Sequence, residues 1–427
     1  MKLLIVSPDY ASHVDPMLQI GIEWQRELGP CIVATGPSVR SSVERHGLGW
    51  TMLQLGRGSN AGVIRADEQP VGEDDHLREF FAATRGGAVE TLRYQAIARR
   101  QDLLFEPERV LADLGRIIDA VAPDRVLVDH VAFGARLALY ALGVDAASIV
   151  LGHPTACPAE GELYGLPSVW PNSVRQAPDK LAELTAICAA STADLAQASN
   201  DLLDRLAPDR PRLSDLTSLP GSPTLYMYPQ KLHDSDRRLP ADSVSLGSLR
   251  RQDVIDPATL PTGGGPLVVV ALGTFLSARD DVLKTAVQAA HLGGWRLALA
   301  SGSTPIESLG PLPDGALVAE HLAQVALLEH ADVLVTHGGN NSVTEACAAG
   351  VPMVVLPMST DQFAGAAAIE RTGLGIVLDP NDLSAADLVD AVNSVLTSDA
   401  GRRAKAVADA IARDGGPSRA VRAISRW

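Results

Sequence analysis

Residues 331–368 read ADVLVTHGGNNSVTEACAAGVPMVVLPMSTDQFAGAAA, and this stretch decides the fold. Residues 333–335 are a short apolar run of the kind that forms a buried strand. The run ends in Thr336-His337-Gly338-Gly339, and a helix is expected from Asn340-Asn341-Ser342. A second apolar strand, 353–356, ends at Pro357, with Asp361-Gln362 in the loop that follows. Near-continuous apolar strands alternating with helices imply a parallel sheet covered on both faces. Two glycines at a strand-to-helix turn let the backbone approach a ligand, and a helix N-terminus offers free N–H groups to an anion. Asn341 and Ser342 add side-chain donors, while Glu345 and Asp361 are placed to accept hydrogen bonds from hydroxyl groups. Phosphate donors beside hydroxyl acceptors point to a nucleotide sugar.

The alternation extends in both directions. Upstream, strands are expected at 2–7, 31–35, 50–53, 125–129 and 147–151, with helices at 15–28, from about Pro37, and at 132–142. Helical periodicity covers 77–121 and 181–206, and short strands fall at 225–227 and 243–246. Two stretches break the pattern: a Gly- and charge-rich loop from Arg57 to about Asp75, and an irregular segment 153–172 that carries Tyr164 and Trp170. Residues 250–265, with Thr262-Gly263-Gly264-Gly265, read as a linker. A second α/β unit starts at Pro266, with strands at 266–270, 297–300 and 316–318, and helices near 385–396 and 402–413. The organisation is therefore two domains: 1–245, a linker at 246–265, 266–413, and a last helix in 414–427 that crosses back to the first.

The chain has 427 residues, enough for two cores, and 46% of them are hydrophobic. A formal charge of −15 argues against nucleic acid or an anionic membrane as partner, since both need a cationic surface. The four cysteines lack metal-ligand spacing and are expected as reduced thiols in the cytoplasm. The apolar run after Met1-Lys2 is too short for a signal peptide and reads as a first strand. Asp234-Ser235-Asp236 reads as a solvated turn, so no metal is expected.

The ordered set His321…Gln324, His337-Gly338-Gly339, Asn341-Ser342, Glu345, Gly350-Val351-Pro352 and Asp361-Gln362 resembles the donor signature of the UDP-glycosyltransferase superfamily. It is most similar to the bacterial branch that decorates natural products. The resemblance implies a GT-B fold: two Rossmann-like domains facing across a cleft, the first binding the acceptor and the second the nucleotide sugar. It also implies an inverting, metal-independent glycosyltransferase with no cofactor, using a UDP- or dTDP-sugar as co-substrate. His13, in Ser12-His13-Val14-Asp15-Pro16, matches the family's base, with Ser12 in place of the usual Gly. Asp129, at the end of a buried strand, matches its partner, and His130 is a neighbour that competes for the role. A His poised near neutral pH and oriented by a carboxylate is a suitable general base. Gly273-Thr274 is implied at the diphosphate or sugar. His321 stands where many relatives carry a base-stacking Trp, which leaves uracil and thymine both open. Arg250 is a further candidate cation near the donor, and Tyr164 and Trp170 are candidate acceptor contacts.

No GxGxxG follows the first strand and no GxxxxGK[ST] is present, which sets aside a dehydrogenase and a P-loop ATPase. A nucleotide-sugar 2-epimerase and a catalytically silent nucleotide-sugar binder remain alternatives. The sugar, the acceptor, monomer or homodimer, and any auxiliary protein stay open.

Overall fold

The computed structural model describes residues 1–58, 73–219, 221–251 and 253–427. The Gly-rich stretch expected as a loop at about 57–75 falls mostly outside the described residues. The first sheet contains β1 (Leu3–Val6), β2 (Cys31–Thr35), β3 (Gly49–Met52), β4 (Arg125–Asp129), β5 (Ala147–Val150), β6 (Thr224–Tyr226) and β7 (Ser243–Ser245). They lie side by side in the order β3-β2-β1-β4-β5-β6-β7, every pair parallel. The second contains β8 (Leu267–Ala271), β9 (Arg296–Ala300), β10 (Leu317–Ala319), β11 (Val333–Thr336), β12 (Met353–Val355) and β13 (Gly375–Val377). Its order is β10-β9-β8-β11-β12-β13, again all parallel. In both sheets the order reverses beside the first strand, between β1 and β4 in one and between β8 and β11 in the other. Open α/β sheets bind ligands at the carboxyl ends of strands at such a switch point.

The central strands are apolar on both faces because helices cover both. Leu3 and Ile5 pack with Met17, Ile20 and Trp24 of the helix Ala11–Glu27. Val268, Val270, Leu297 and Val335 pack with Leu283 and Val287 of the helix Asp280–Gly293. Two elements cross between the halves. The last helix, Pro417–Arg426, buries Ala420, Val421 and Ile424 in the first sheet's core. A hairpin of the helices Glu73–Gly86 and Ala88–Asp102 puts Phe80 into the second sheet's core. There the carbonyl of Thr84 accepts from Asn381 Nδ2 at 3.0 Å and from the buried Arg279 guanidinium at 3.4 Å.

Three local readings are corrected. The first helix begins at Ala11 rather than Asp15, because Pro16 lies within it. Gln362 opens the helix Gln362–Thr372 instead of sitting in a loop, since its Oε1 accepts from the N–H groups of Met358 and Ser359 and closes the turn. Strand β13 and the helix Asp280–Gly293 escaped the sequence reading; a strand of 3 residues gives no period to read.

Replacing Ile424, which has 0% exposure, by Ala removes a buried side chain from the contact between the last helix and the first sheet. Ile424→Ala is expected to cost about 2–4 kcal/mol in denaturant unfolding of the whole chain. An unchanged midpoint would mean that this helix does not pack as described.

Candidate active site

The carboxyl ends of both sheets face one cavity of about 690 Å³. On the first side, the chain leaving β1 turns at Pro8 and enters the helix with His13 in its first turn. Asp129 closes β4, the neighbour of β1 across the switch point, in register with it through Val6↔Val128. His13 Nδ1 and Asp129 Oδ2 are 2.7 Å apart. Asp129 has 0% exposure, and its other oxygen accepts from the Val131 N–H at 3.0 Å. An ionised carboxylate is acceptor-only, so Nδ1 carries the proton and Nε2 is left for the cavity. Burial pulls the His13 pKa down, but the Asp129 charge and hydrogen bond, with a smaller contribution from Asp361, outweigh it and raise it above 6.5.

His130 is not an equivalent candidate. Its Nε2 is 2.6 Å from the Ala156 carbonyl oxygen, to which it donates, and burial beside Arg136 holds its pKa well below 6.5. It is a neutral, committed ring.

On the second side, Gly273 follows β8 and His337 follows β11, again flanking the switch point. Gly273 has φ +74°, and a Cβ there would lie 2.7 Å from His337 Cε1. A Cβ on Gly339 would lie 2.3 Å from His337 Nε2. The ring is therefore held between two glycines, and burial lowers its pKa to about 4, so it is neutral. Gly338 has φ +82° and turns the chain into the helix Asn340–Ala349, though it does not line the cavity. The backbone of Thr274 runs in the helix Gly273–Leu276, but its side chain lies outside the described residues.

Further round the cavity, Gln324 Nε2 donates to Glu345 Oε2 at 2.7 Å and to Ser342 Oγ at 3.2 Å. Burial raises the Glu345 pKa, against the charge of Arg251 and the bond from Gln324. His321 lines the same wall. Asp361 faces the cavity, with Oδ1 accepting from Thr360 Oγ1 at 3.0 Å and Oδ2 from the His153 N–H of the first domain. A Cβ at Gly152 would lie 2.5 Å from that carboxylate, so the close approach depends on glycine. Thr360 has φ 50°, and its N–H donates to Gln95 Oε1 of the hairpin at 3.2 Å.

The two sides are joined next to His13. Pro16 has no N–H to offer the Ser12 carbonyl one turn back, so a helix acceptor is left open. Asn341 Nδ2, from the opposite domain, donates to that carbonyl at 2.8 Å. Its neighbour Asn340 donates to the Leu151 and Met227 carbonyls at 2.7 and 2.8 Å. In this structure Asn341 thus serves the first domain.

Tyr164 lines the cavity and packs edge-on against Phe133 at 5.3 Å. Trp170 does not; it stacks 5.2 Å from Phe363 between the domains, because the irregular segment folds back onto the helix Gln362–Thr372. Arg250 points away to Glu329 at 4.0 Å, and the cavity is lined by Arg251 instead. Sequence reading missed Arg251, Gln95 and Gly152: none stands in a motif, and each reaches the site only through the approach of distant segments. Among the described residues there is no cluster of His, Cys, Asp and Glu arranged to hold a metal. No helix of the described residues is long and apolar enough to cross a membrane.

Two sheets, both with the same switch-point order and a shared cavity between them, make a two-domain α/β fold of the GT-B class. The model of the UDP-glucoronosyl and UDP-glucosyl transferase family matches residues 259–411, which bears out the resemblance read from 331–368. Demethyllactenocin mycarosyltransferase of Streptomyces fradiae is 36% identical over 166 residues, 38% of this chain and 36% of its own length. 4'-Demethylrebeccamycin synthase of Lentzea aerocolonigenes is 26% identical over 427 residues, 92% of this chain and 91% of its own. The solved glycotransferase of kitacinnamycin superposes with a TM-score of 0.70 at 23% identity, covering 100% of this chain and 98% of that one.

Gly273→Ala is expected to lower stability by about 1–2 kcal/mol, the cost of a side chain at positive φ, and to displace His337. A variant as stable as the parent, with nucleotide affinity intact, would contradict the packing of the ring described above.

Proposed function

We propose that the chain is an inverting glycosyltransferase that moves a sugar from a UDP- or dTDP-linked donor to a small hydrophobic acceptor, without a metal. The observation that carries this reading is the His13–Asp129 pair at one switch point, opposite Gly273, His337 and the Asn340–Ala349 helix N-terminus at the other. A single base facing a phosphate-binding helix N-terminus suits direct displacement at a sugar carbon. His13 Nε2 takes the acceptor's proton while Asp129 supports the imidazolium that forms. The backbone N–H groups at 339–342 and the Ser342 hydroxyl receive the diphosphate. Glu345 takes ribose hydroxyls, Asp361 takes sugar hydroxyls, and His321 stacks on the pyrimidine. Val131, Val150, Leu166 and Pro167 give the acceptor side an apolar wall beside Tyr164. The names of the relatives, a mycarosyltransferase and a rebeccamycin-type synthase, favour a secondary-metabolite acceptor. We place the enzyme in the cytoplasm, as a monomer or homodimer.

His13→Ala is expected to abolish sugar transfer while stabilisation by UDP or dTDP in a thermal melt survives. Transfer at a near-normal rate would rule out His13 as the base, and no transfer by the wild type to any acceptor would leave a nucleotide-sugar binder or an epimerase. The pH dependence follows from the raised His13 pKa. The base works deprotonated, so kcat/KM rises with pH through a limb lying above 6.5. Asp129→Asn removes the charge that raises it and leaves burial, which lowers it. The limb then moves to lower pH, and turnover drops by roughly 100-fold or more as the ring loses its preferred tautomer.

A further inference from the structure

Resting on the transferase reading above, the reaction ends with a nucleoside diphosphate. The acceptor's nucleophile bonds to the sugar's anomeric carbon, and its proton goes to His13 Nε2. The bond from that carbon to the β-phosphate oxygen breaks, and its electron pair stays on the phosphate. Negative charge therefore grows on the diphosphate, where preorganised positive charge has most effect. The cavity has little of it. Asp15, Asp253, Glu320, Glu345 and Asp361 all line the cavity, against one Lys or Arg among the described residues, Arg251. Neutral His337 adds no charge, and helix N–H groups supply only a fraction of one.

Arg251 stands on the segment joining β7 to β8, so it belongs to neither sheet and reaches the cleft between them. Its Nε lies 3.2 Å from Asp253 Oδ1. Asp253 is itself anchored by the Val325 N–H at 3.2 Å. The two terminal nitrogens of Arg251 have no hydrogen-bond partner among the described residues, and 43% of the side chain is exposed. A guanidinium tethered through Nε, with both terminal nitrogens free, has the fork that matches a phosphate's two oxygens. Its charge reaches both walls: it acts on Asp15, in the His13 helix, and on Glu345, in the helix of the donor side, in each case opposing the rise caused by burial.

We propose that Arg251 binds the diphosphate of the nucleotide sugar and stabilises it as it leaves. It keeps its proton throughout and acts by charge and hydrogen bonding.

The experiment pairs thermal-shift titrations with turnover. Wild type, Arg251→Met, Arg251→Lys and Arg250→Ala are titrated with nucleoside, monophosphate and diphosphate of both uridine and thymidine. In wild type, affinity is expected to climb with each phosphate. In Arg251→Met the diphosphate's advantage over the nucleoside shrinks by about 10- to 100-fold, as for a lost charged hydrogen bond, while nucleoside affinity holds. Its kcat falls by about 100-fold. Arg251→Lys recovers part of both, and Arg250→Ala stays within about twofold of wild type, as expected for an exposed pair. The proposal is overturned if Arg251→Met keeps the diphosphate's advantage, or if nucleoside and diphosphate weaken equally, which would mark a structural role. If no nucleoside diphosphate stabilises wild type, the transferase reading itself fails and this proposal falls with it.

Discussion

A carboxylate with no exposure to water has to be met on all sides, and Asp129 is where this protein meets that demand. Its position at the end of β4 denies it solvent, and leaving it charged and unpaired would be strongly unfavourable. The His13 ring and the Val131 N–H satisfy it. The consequence is more than local. The bond fixes which ring nitrogen is protonated, and thereby turns the other toward the cavity. It also ties the start of the first helix to the middle of the sheet, across the switch point.

The second domain depends on the same helix turn. Pro16 leaves the Ser12 carbonyl unbonded, and Asn341 reaches across the cleft to satisfy it. The N-terminus of the helix Asn340–Ala349 is thereby docked within one residue of His13. Asn340 and the Gly152–Asp361 contact repeat the arrangement nearby, with side chains of one domain meeting backbone groups of the other. Gly152 is required for this closeness, since a Cβ there would strike Asp361, while Gly273 and Gly339 make room for the His337 ring within the second domain.

Much of this was legible in the chain. The strand pattern around 331–368 gave the parallel sheet, because strands buried on both faces must be apolar throughout. Asp129 was legible because it closes a buried apolar strand, and His13 because its segment between the first strand and helix resembles the family's. Trp170 and Arg250, read as candidates, fall outside the cavity lining for one reason: both lie in irregular segments, where no period tells which way a side chain points. Arg251, one residue along, faces the cavity. Gln95 and Gly152 gave no signal, since their importance comes from contacts with residues more than 200 positions away in the case of Gln95–Thr360 and Gly152–Asp361.

The central claim is that Asp129 makes His13 a stronger base than a free histidine, with its proton on Nδ1. Nitrogen-resolved NMR of the His13 ring across a pH titration reads both properties in the resting protein. The account predicts an Nδ1–H tautomer and a midpoint above 6.5. A midpoint below 6.5, or a ring protonated on Nε2, would contradict it.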